Sequence, residues 1–460
     1  MRREFEDSLH RALKGSASRA DLLELASAGG DELWALLRAA LSLRLSAGRT
    51  VTLSRNVFVP LTRMCVNRCA YCGFRRDPGA PGAGYIEPEE AVRVAAAGET
   101  SGATEVLVSS GDRPEAAHAE AREWLRSHGY SSTAEYAADL EERILRSTRI
   151  LLPHTNIGVL TRKEMALLRP LNASMGLMLE SSSPRLSGPG MPHCCSPTKA
   201  PAVRLRMIRE AGILGIPFTT GILVGIGETW EERIDSLLAI AELHAAYGHV
   251  QEVIVQPFSP EPGTPMWGSS PPDPLDVAKT IALARLVMGP SVPVQAPPNI
   301  AGGWRRLYLL AGADDWGGIS SLTPDYVNAR HPWPDPGELA REAGELGMIL
   351  RERLPIYPRY VRGGWLPREL EARVARILDR EGYVRGAARR PKALYSGSAQ
   401  RRRCSPRGSW DRWIRSSRRP WTPPWMGATS PRGSSRGSSP RAARRSPCSW
   451  PSRTSSGGGP

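Results

Sequence analysis

The sequence predicts an α/β protein built as a TIM-type (β/α) barrel, complete or partial, with a helical preamble and a disordered C-terminal tail. Three observations predict it. Apolar runs of strand length alternate with amphipathic stretches of helix length, which signals βα units and a parallel sheet. Seven or so such units over about 250 residues suit a barrel. A cysteine-rich loop follows the first run, at the end of a strand where such barrels keep their chemistry.

Residues 1–49 read as helices. Leu22, Leu25, Leu33, Leu37 and Leu41 recur near helical spacing, and Gly29-Gly30 breaks the pattern. The barrel occupies 50–336. Its strand-like runs are 51–61, 105–109, 156–160, 173–179, 218–224, 252–255 and 292–296. Helical stretches at 91–100, 134–149, 203–211 and 229–246 lie between them. Residues 337–385 read as a helical cap. From Gly386 the composition collapses into Arg, Ser, Pro, Gly and Trp without apolar periodicity, so 386–460 is expected to be disordered. That bias is what a GC-rich reading frame yields when translated out of register. A frameshift near the start of the tail is one reading, and a genuine basic extension is the other.

The formal charge of +15 invites a nucleic-acid reading. Residues 386–460, however, hold 17 of the 61 basic residues and one of the 46 acidic residues. Residues 1–385 therefore carry 44 basic and 45 acidic groups, a net of −1. A nucleic-acid partner would rest on the tail alone, whose five Trp are interleaved with 16 Arg. The folded part is not expected to bind nucleic acid. The seven Cys are too few and too uneven for a secreted disulfide scaffold. The N-terminus shows no apolar signal region, and the longest apolar run, 213–226, is broken by Gly and Pro. A cytoplasmic protein without a membrane span is expected.

Cys65, Cys69 and Cys72 form the pattern CxxxCxxC in a short loop after the first strand. Thiolates are the usual ligands of iron–sulfur clusters. Three thiolates on a 4Fe-4S cube leave one iron open, able to bind the amino and carboxylate groups of S-adenosylmethionine (SAM). An electron from the cluster then cleaves the sulfonium C–S bond and leaves a 5′-deoxyadenosyl radical. A structural zinc site wants four ligands, commonly from paired motifs, and no second CxxC is present. A ferredoxin-type electron carrier wants four cluster thiolates. Tyr71, just before the third Cys, sharpens the pattern toward radical SAM chemistry.

Other strand-end residues fit the same reading, each beside a plainer one. Gly111, Asp112 and Glu115 follow the second strand and are candidates for the SAM ammonium; an ordinary turn is the alternative. Glu180 is a candidate for a ribose hydroxyl, or else a rim ion pair. Gly225 and Gly227 let backbone approach an adenine closely, although a glycine pattern of this kind is weak alone.

Beyond the cysteine loop the sequence resembles the first radical SAM half of the FO synthase family, which makes the 5-deazaflavin chromophore of coenzyme F-420. The resemblance is carried by SRNVFVPLTRMCVNRCAYCGF, SSGDRPE, LPHTNIGVL, NASMGLMLESSS, GILVGIGET, QPFSPEPGTPM and ADDWGGISSLTPDYVN, over roughly residues 50–385. The last run is the most discriminating, because general radical SAM motifs do not need it. The resemblance implies a radical SAM lyase that takes the adduct of tyrosine and 5-amino-6-ribitylaminouracil, abstracts hydrogen, closes the ring and releases ammonia. The product is 7,8-didemethyl-8-hydroxy-5-deazariboflavin (FO). It also implies a reductant such as ferredoxin or flavodoxin, and a second FO synthase half that supplies the adduct. His154, Asn156, His193, Asn299, Asp315 and Asp325 suit a substrate with a phenol, a pyrimidine and a polyol. Among them His154 and Asp315 are the candidates for proton handling. Two departures stand out. Cys194-Cys195 occupy a stretch where the family carries other small residues, and no second CxxxCxxC follows. The alternatives are the sister half-enzyme that joins tyrosine to the pyrimidine, and a menaquinone-pathway relative.

Overall fold

The computed structural model describes residues 1–386. The expectation of a disordered tail falls on residues outside that range. Eight parallel strands close into a barrel: β1 (Thr50–Pro60), β2 (Glu105–Ser109), β3 (Leu152–Asn156), β4 (Ser174–Gly176), β5 (Phe218–Val224), β6 (Val250–Pro257), β7 (Val294–Gln295) and β8 (Asp315–Ile319). Each pairs with its neighbours in chain order, and β1 bonds both β2 and β8 to close the ring. A ninth strand, β9 (Ile349–Arg353), pairs with Thr50 to Ser54 of β1, below the level at which β2 pairs with Asn56 to Pro60.

Side-chain alternation sorts the barrel into two faces. On β1, Val51, Leu53, Val57 and Val59 join the large core against the outer helices. The other face carries Thr52, Ser54, Asn56 and Phe58 into the lumen. On β2, Val106 and Val108 face the helices, leaving Glu105, Leu107 and Ser109 inside. The lumen is thus polar, where a TIM-type barrel ordinarily packs branched apolar side chains. Leu107, Asn156, Ile254 and Gln256 retain partial exposure although they sit on interior strand faces. Solvent therefore enters the barrel.

The preamble folds as three helices, Arg3–Leu13, Arg19–Ala26 and Gly30–Ser46. Leu22, Leu25, Leu33 and Leu37 bury into the core of the barrel wall, with Leu41 packed at its margin. Ser18 opens the second helix in a capping box with Asp21, an arrangement that contributes about 1 kcal/mol.

Three sequence expectations need correction. The apolar run 156–160 is not a strand: β3 ends at Asn156, and the run turns away because Gly158 takes φ +85° and the Asp112 carboxylate accepts the Val159 N–H at 3.1 Å. The strand DWGGI of β8 escaped notice because two glycines and an Asp disguise it. The segment 337–385 is not purely helical. It contains β9 between the helices Pro336–Glu345 and Pro358–Arg362.

Candidate active site at the mouth of the barrel

β1 delivers the chain to the C-terminal rim, and the loop from Leu61 is pinned there by backbone bonds. Leu61 N–H donates to Ser109 O at 2.7 Å, and Gly111 N–H donates to Thr62 O at 2.9 Å. A Cβ on Gly111 would stand 1.9 Å from Met64 O, so only glycine lets the β2 loop lie this close to the cysteine loop. The Cys65 sulfur accepts the Asp112 N–H at 3.1 Å and the Asn67 N–H at 3.4 Å. The Cys69 sulfur accepts the Ser196 hydroxyl at 3.3 Å. Donors aimed at sulfur favour the thiolate.

Burial pushes the Cys65 thiol up to about 12 and raises the Cys72 thiol as well. Thiols buried in this way give up their protons readily only when a metal cation takes the proton's place on sulfur. Among the described residues no three ligating side chains converge on a single metal ion. A cube of four irons does not require that, since each thiolate caps a different iron. Three soft thiolates with N–H and O–H donors on their sulfurs suit such a cluster by the chemistry of the donor set.

Around the loop lies a polar shell drawn from four other parts of the chain. Asp112 accepts bonds from Val159 N–H, the Thr198 hydroxyl and, at 3.4 Å, the Asn67 amide. Glu180 is ion-paired with Lys199. Burial pushes the Glu180 carboxyl up, but Lys199 and Arg204 outweigh it and hold it below the usual range. Glu180 also takes φ +65°, a left-handed conformation that costs a non-glycine residue about 1 kcal/mol or more. Bonds to Gly221 and Leu223 of β5 hold it there. The Tyr71 hydroxyl meets His193 Nε2 at 2.9 Å, and Lys199 lies 5.8 Å from the Tyr71 ring centroid. Gly225 and Gly227 both take positive φ, and the Glu228 carboxylate accepts the N–H groups of Gly225 at 2.7 Å and Ile226 at 2.8 Å. Ile226 packs with Ala70 and Leu223, with Tyr71 against them, so the β5 loop lies beside the cysteine loop.

The structure thus gathers Cys65, Cys69, Cys72, Tyr71, Gly111, Asp112, Glu180, Gly225 and Gly227 at one rim. Glu115 is turned elsewhere: its carboxylate accepts the Thr133 hydroxyl at 2.7 Å, at the start of the helix Thr133–Ser147. Sequence reasoning passed over Ser196, Thr198, Lys199 and Arg204. All four lie in or just after HCCSPTKAP, where the adjacent cysteines drew attention from the donors beside them.

Asp315 departs most from expectation. It opens β8 rather than ending it and pairs in register with Thr52, eight residues before Pro60 on β1. Along its own strand it lies four residues, at about 3.3 Å each roughly 13 Å, before the end of β8 at Ile319. There it accepts two bonds from Arg353, Nε to Oδ2 at 2.6 Å and Nη2 to Oδ1 at 2.9 Å. Arg353 also reaches Glu252 at 3.1 Å, and the Tyr357 hydroxyl donates to Glu252 at 2.7 Å. Ser54 donates to Glu105 in the same layer. Asp315 is therefore a member of a buried floor rather than a group beside the cysteines.

His154 lies between the two levels. The Ser174 hydroxyl donates to Pro355 O at 2.5 Å, so its oxygen accepts the His154 Nδ1 proton at 2.7 Å. That leaves Nε2 as an acceptor over Gly176. Burial and Arg353 push the imidazole down to about 3, so near neutral pH it accepts hydrogen bonds without carrying charge.

Comparison with known proteins agrees with this geometry. Residues 59–240 match the radical SAM superfamily. The chain is 52% identical over 335 residues to the 7,8-didemethyl-8-hydroxy-5-deazariboflavin synthase of Methanopyrus kandleri, covering 73% of this chain and 100% of that one. It is 46% identical over 387 residues to the FO synthase of Nocardia farcinica, covering 81% of this chain and 45% of that longer protein. In fold it is similar to the FeFe-hydrogenase maturase HydG of Carboxydothermus hydrogenoformans, with a TM-score of 0.62 at 20% identity over 81% of this chain and 90% of that one. The cysteine loop, the hollow polar barrel and the identity over a whole relative lead to one conclusion: this chain belongs to the 7,8-didemethyl-8-hydroxy-5-deazariboflavin synthase family of radical SAM proteins.

Proposed function

We propose that this protein is a radical SAM lyase that forms FO from the adduct of tyrosine and 5-amino-6-ribitylaminouracil, with release of ammonia, in coenzyme F-420 biosynthesis. The observation that carries the reading is the 52% identity across the full length of a deazariboflavin synthase. The placement of three cysteines over an open polar lumen supports it. Cys65, Cys69 and Cys72 would hold the 4Fe-4S cluster. Backbone at Gly111 and Asp112, the Glu180 carboxylate, Tyr71 and the close-approach glycines Gly225 and Gly227 would seat SAM. When bound, the cluster and SAM supply the organic radical that starts the reaction.

The chain's own groups do the rest. Donors to the Cys65 and Cys69 sulfurs orient those ligands. The Lys199–Glu180 pair fixes a carboxylate at the rim in its charged form. His154 offers a neutral acceptor to a substrate hydroxyl or N–H, and the tight floor keeps the lower end of the barrel closed. The reaction needs an external one-electron donor of the ferredoxin or flavodoxin class. It also needs a source of the adduct, consistent with a second FO synthase half in longer relatives, of which this chain spans under half. A reducing cytoplasm suits three closely spaced thiols, and no helix among the described residues is long and apolar enough to cross a membrane.

Anaerobic incubation of reconstituted protein with the adduct, SAM and dithionite tests the reading. The expected outcome is deazaflavin fluorescence and its mass, together with 5′-deoxyadenosine. SAM cleavage without deazaflavin, or product only from tyrosine and the free pyrimidine, would assign the chain to another radical SAM reaction.

A further inference from the structure

Four carboxamide side chains stand in the lumen without a hydrogen-bond partner among the described residues. They are Asn56 on β1, Asn156 on β3, Gln256 on β6 and Gln295 on β7, on inward-facing positions of four different strands. Asn56 is 6% exposed, and its Oδ1 is buried with nothing to accept from. Gln295 is 9% exposed, while Asn156 and Gln256 are half-buried. Buried polar groups are nearly always satisfied, so the orphaned Asn56 carbonyl, beside three further unpartnered carboxamides that face the same lumen, marks a place where something else supplies the partner. Glycines make the room. A Cβ on Gly318 would collide with the Asn56 amide, and one on Gly317 with the Gln295 amide, both at 2.2 Å.

The chemistry of these groups is specific. Each carboxamide offers donors and an acceptor and carries no charge. The floor holds three carboxyl groups, Glu105, Glu252 and Asp315, against the single guanidinium of Arg353, with Glu105 in register with Asn56 and Asp315 in register with Gln295. That guanidinium is already occupied by Asp315 and Glu252, so it has little left for an anion. The floor instead presents the Glu105 carboxyl, which among the described residues accepts the Ser54 hydroxyl alone and has capacity left for a polyol hydroxyl.

We propose that these carboxamides bind the uncharged pyrimidine and polyol of the substrate, with the polyol directed at the floor, and that the floor carboxyls reject a phosphorylated polyol. The inference rests on the deazaflavin-forming reading above. It follows from placing the reacting end near the cysteines, which leaves the ribityl end to descend. A phosphate there would lose its water to a site that offers it no free cation, whereas hydroxyls would find an acceptor.

Equilibrium dialysis under anaerobic conditions provides the test, using the full chain with 5-amino-6-ribitylaminouracil and with its ribityl 5′-phosphate ester. The neutral compound is expected to bind at least tenfold more tightly than the ester. Gln256→Leu and Gln295→Leu, on separate strands, should each weaken binding of the neutral compound several-fold, with unfolding temperatures measured alongside. Glu105→Gln keeps the size of the side chain and should raise affinity for the ester at least threefold. Equal binding of ester and neutral compound, or wild-type affinity in both leucine variants, would overturn the lumen assignment. Continued deazaflavin formation in those variants would then show that the reaction itself stands. Wild-type protein that binds neither compound and forms no deazaflavin would overturn both.

Discussion

The two ends of this barrel are made from similar residues to opposite effect. At the floor, Arg353, Asp315, Glu252, Tyr357 and Thr52 satisfy one another, and Asp315 is wholly buried. At the mouth, polar groups are also bonded, yet the bonds aim at sulfur, hold a left-handed Glu180 and bring glycine backbone into close approach. The floor closes a set of charges at the foot of the lumen; the mouth arranges groups around space open to a ligand. A carboxylate in a barrel interior is thus no sign of catalysis by itself. Its height along the strand decides whether it lies beside the cysteines or against an arginine.

The largest expected effect is at the mouth. Replacing Cys65, Cys69 or Cys72 with Ala should abolish SAM cleavage and lower the iron content, with little change in unfolding temperature of the unreconstituted protein. Cys194→Ala should retain cleavage. Iron analysis and 5′-deoxyadenosine assays check both. Equal loss in all four variants would mean that the ligand set is wrong and that the mouth differs less from the floor than its geometry implies.

The floor should respond in the opposite way. Arg353→Met removes the cation that Asp315 and Glu252 share and leaves buried carboxylates unpaired. Breaking a buried pair from one side costs about 3–5 kcal/mol. The variant is expected to unfold at markedly lower denaturant concentration. Denaturant melts read this directly, and a midpoint close to wild type would show that water or neutralised carboxyls replace the arginine cheaply.

The same contrast explains what the sequence disclosed. The cysteine loop was legible because three closely spaced thiols are unusual for a core or a turn, and strand periodicity put it and the loops after β2 and β5 at strand ends. Asp315 was misjudged because its partner, Arg353, lies 38 residues away on a strand hidden in a stretch read as helical cap. The carboxamides were illegible for another reason. Asn56, Gln256 and Gln295 look like ordinary polar positions until closure of the barrel turns them inward. β3 was misplaced because Pro153 argues against a strand, whereas the following apolar run argues for one. The turn at Gly158 depends on Asp112, 46 residues earlier, which no local pattern reveals.

A subtler prediction concerns another buried carboxyl, outside the barrel wall. Glu141, on the helix Thr133–Ser147, is fully buried between Thr155 and Asn172, and its Oε2 accepts the Asn172 amide at 2.6 Å. Burial pushes it up to about 8, far above its ordinary value of 4.5. Below pH 4.5 both folded and unfolded chains hold the proton. Between 4.5 and 8 the folded chain keeps a proton that the unfolded chain has released, so raising pH favours unfolding. The stabilisation is complete below the lower value and lost as pH rises through the upper one, by up to about 1.4 kcal/mol per pH unit. Glu105 and Glu352, both raised to about 7 by burial, titrate in the same range, so the wild-type curve alone does not isolate Glu141. Glu141→Gln does, because it is neutral at every pH while the other two remain. The difference in unfolding free energy between variant and wild type should therefore move in the variant's favour from pH 5 to pH 9. An offset that stays constant across that range would show that Glu141 is ionised in the folded protein already at pH 5, with Thr155 and Asn172 solvating the charge.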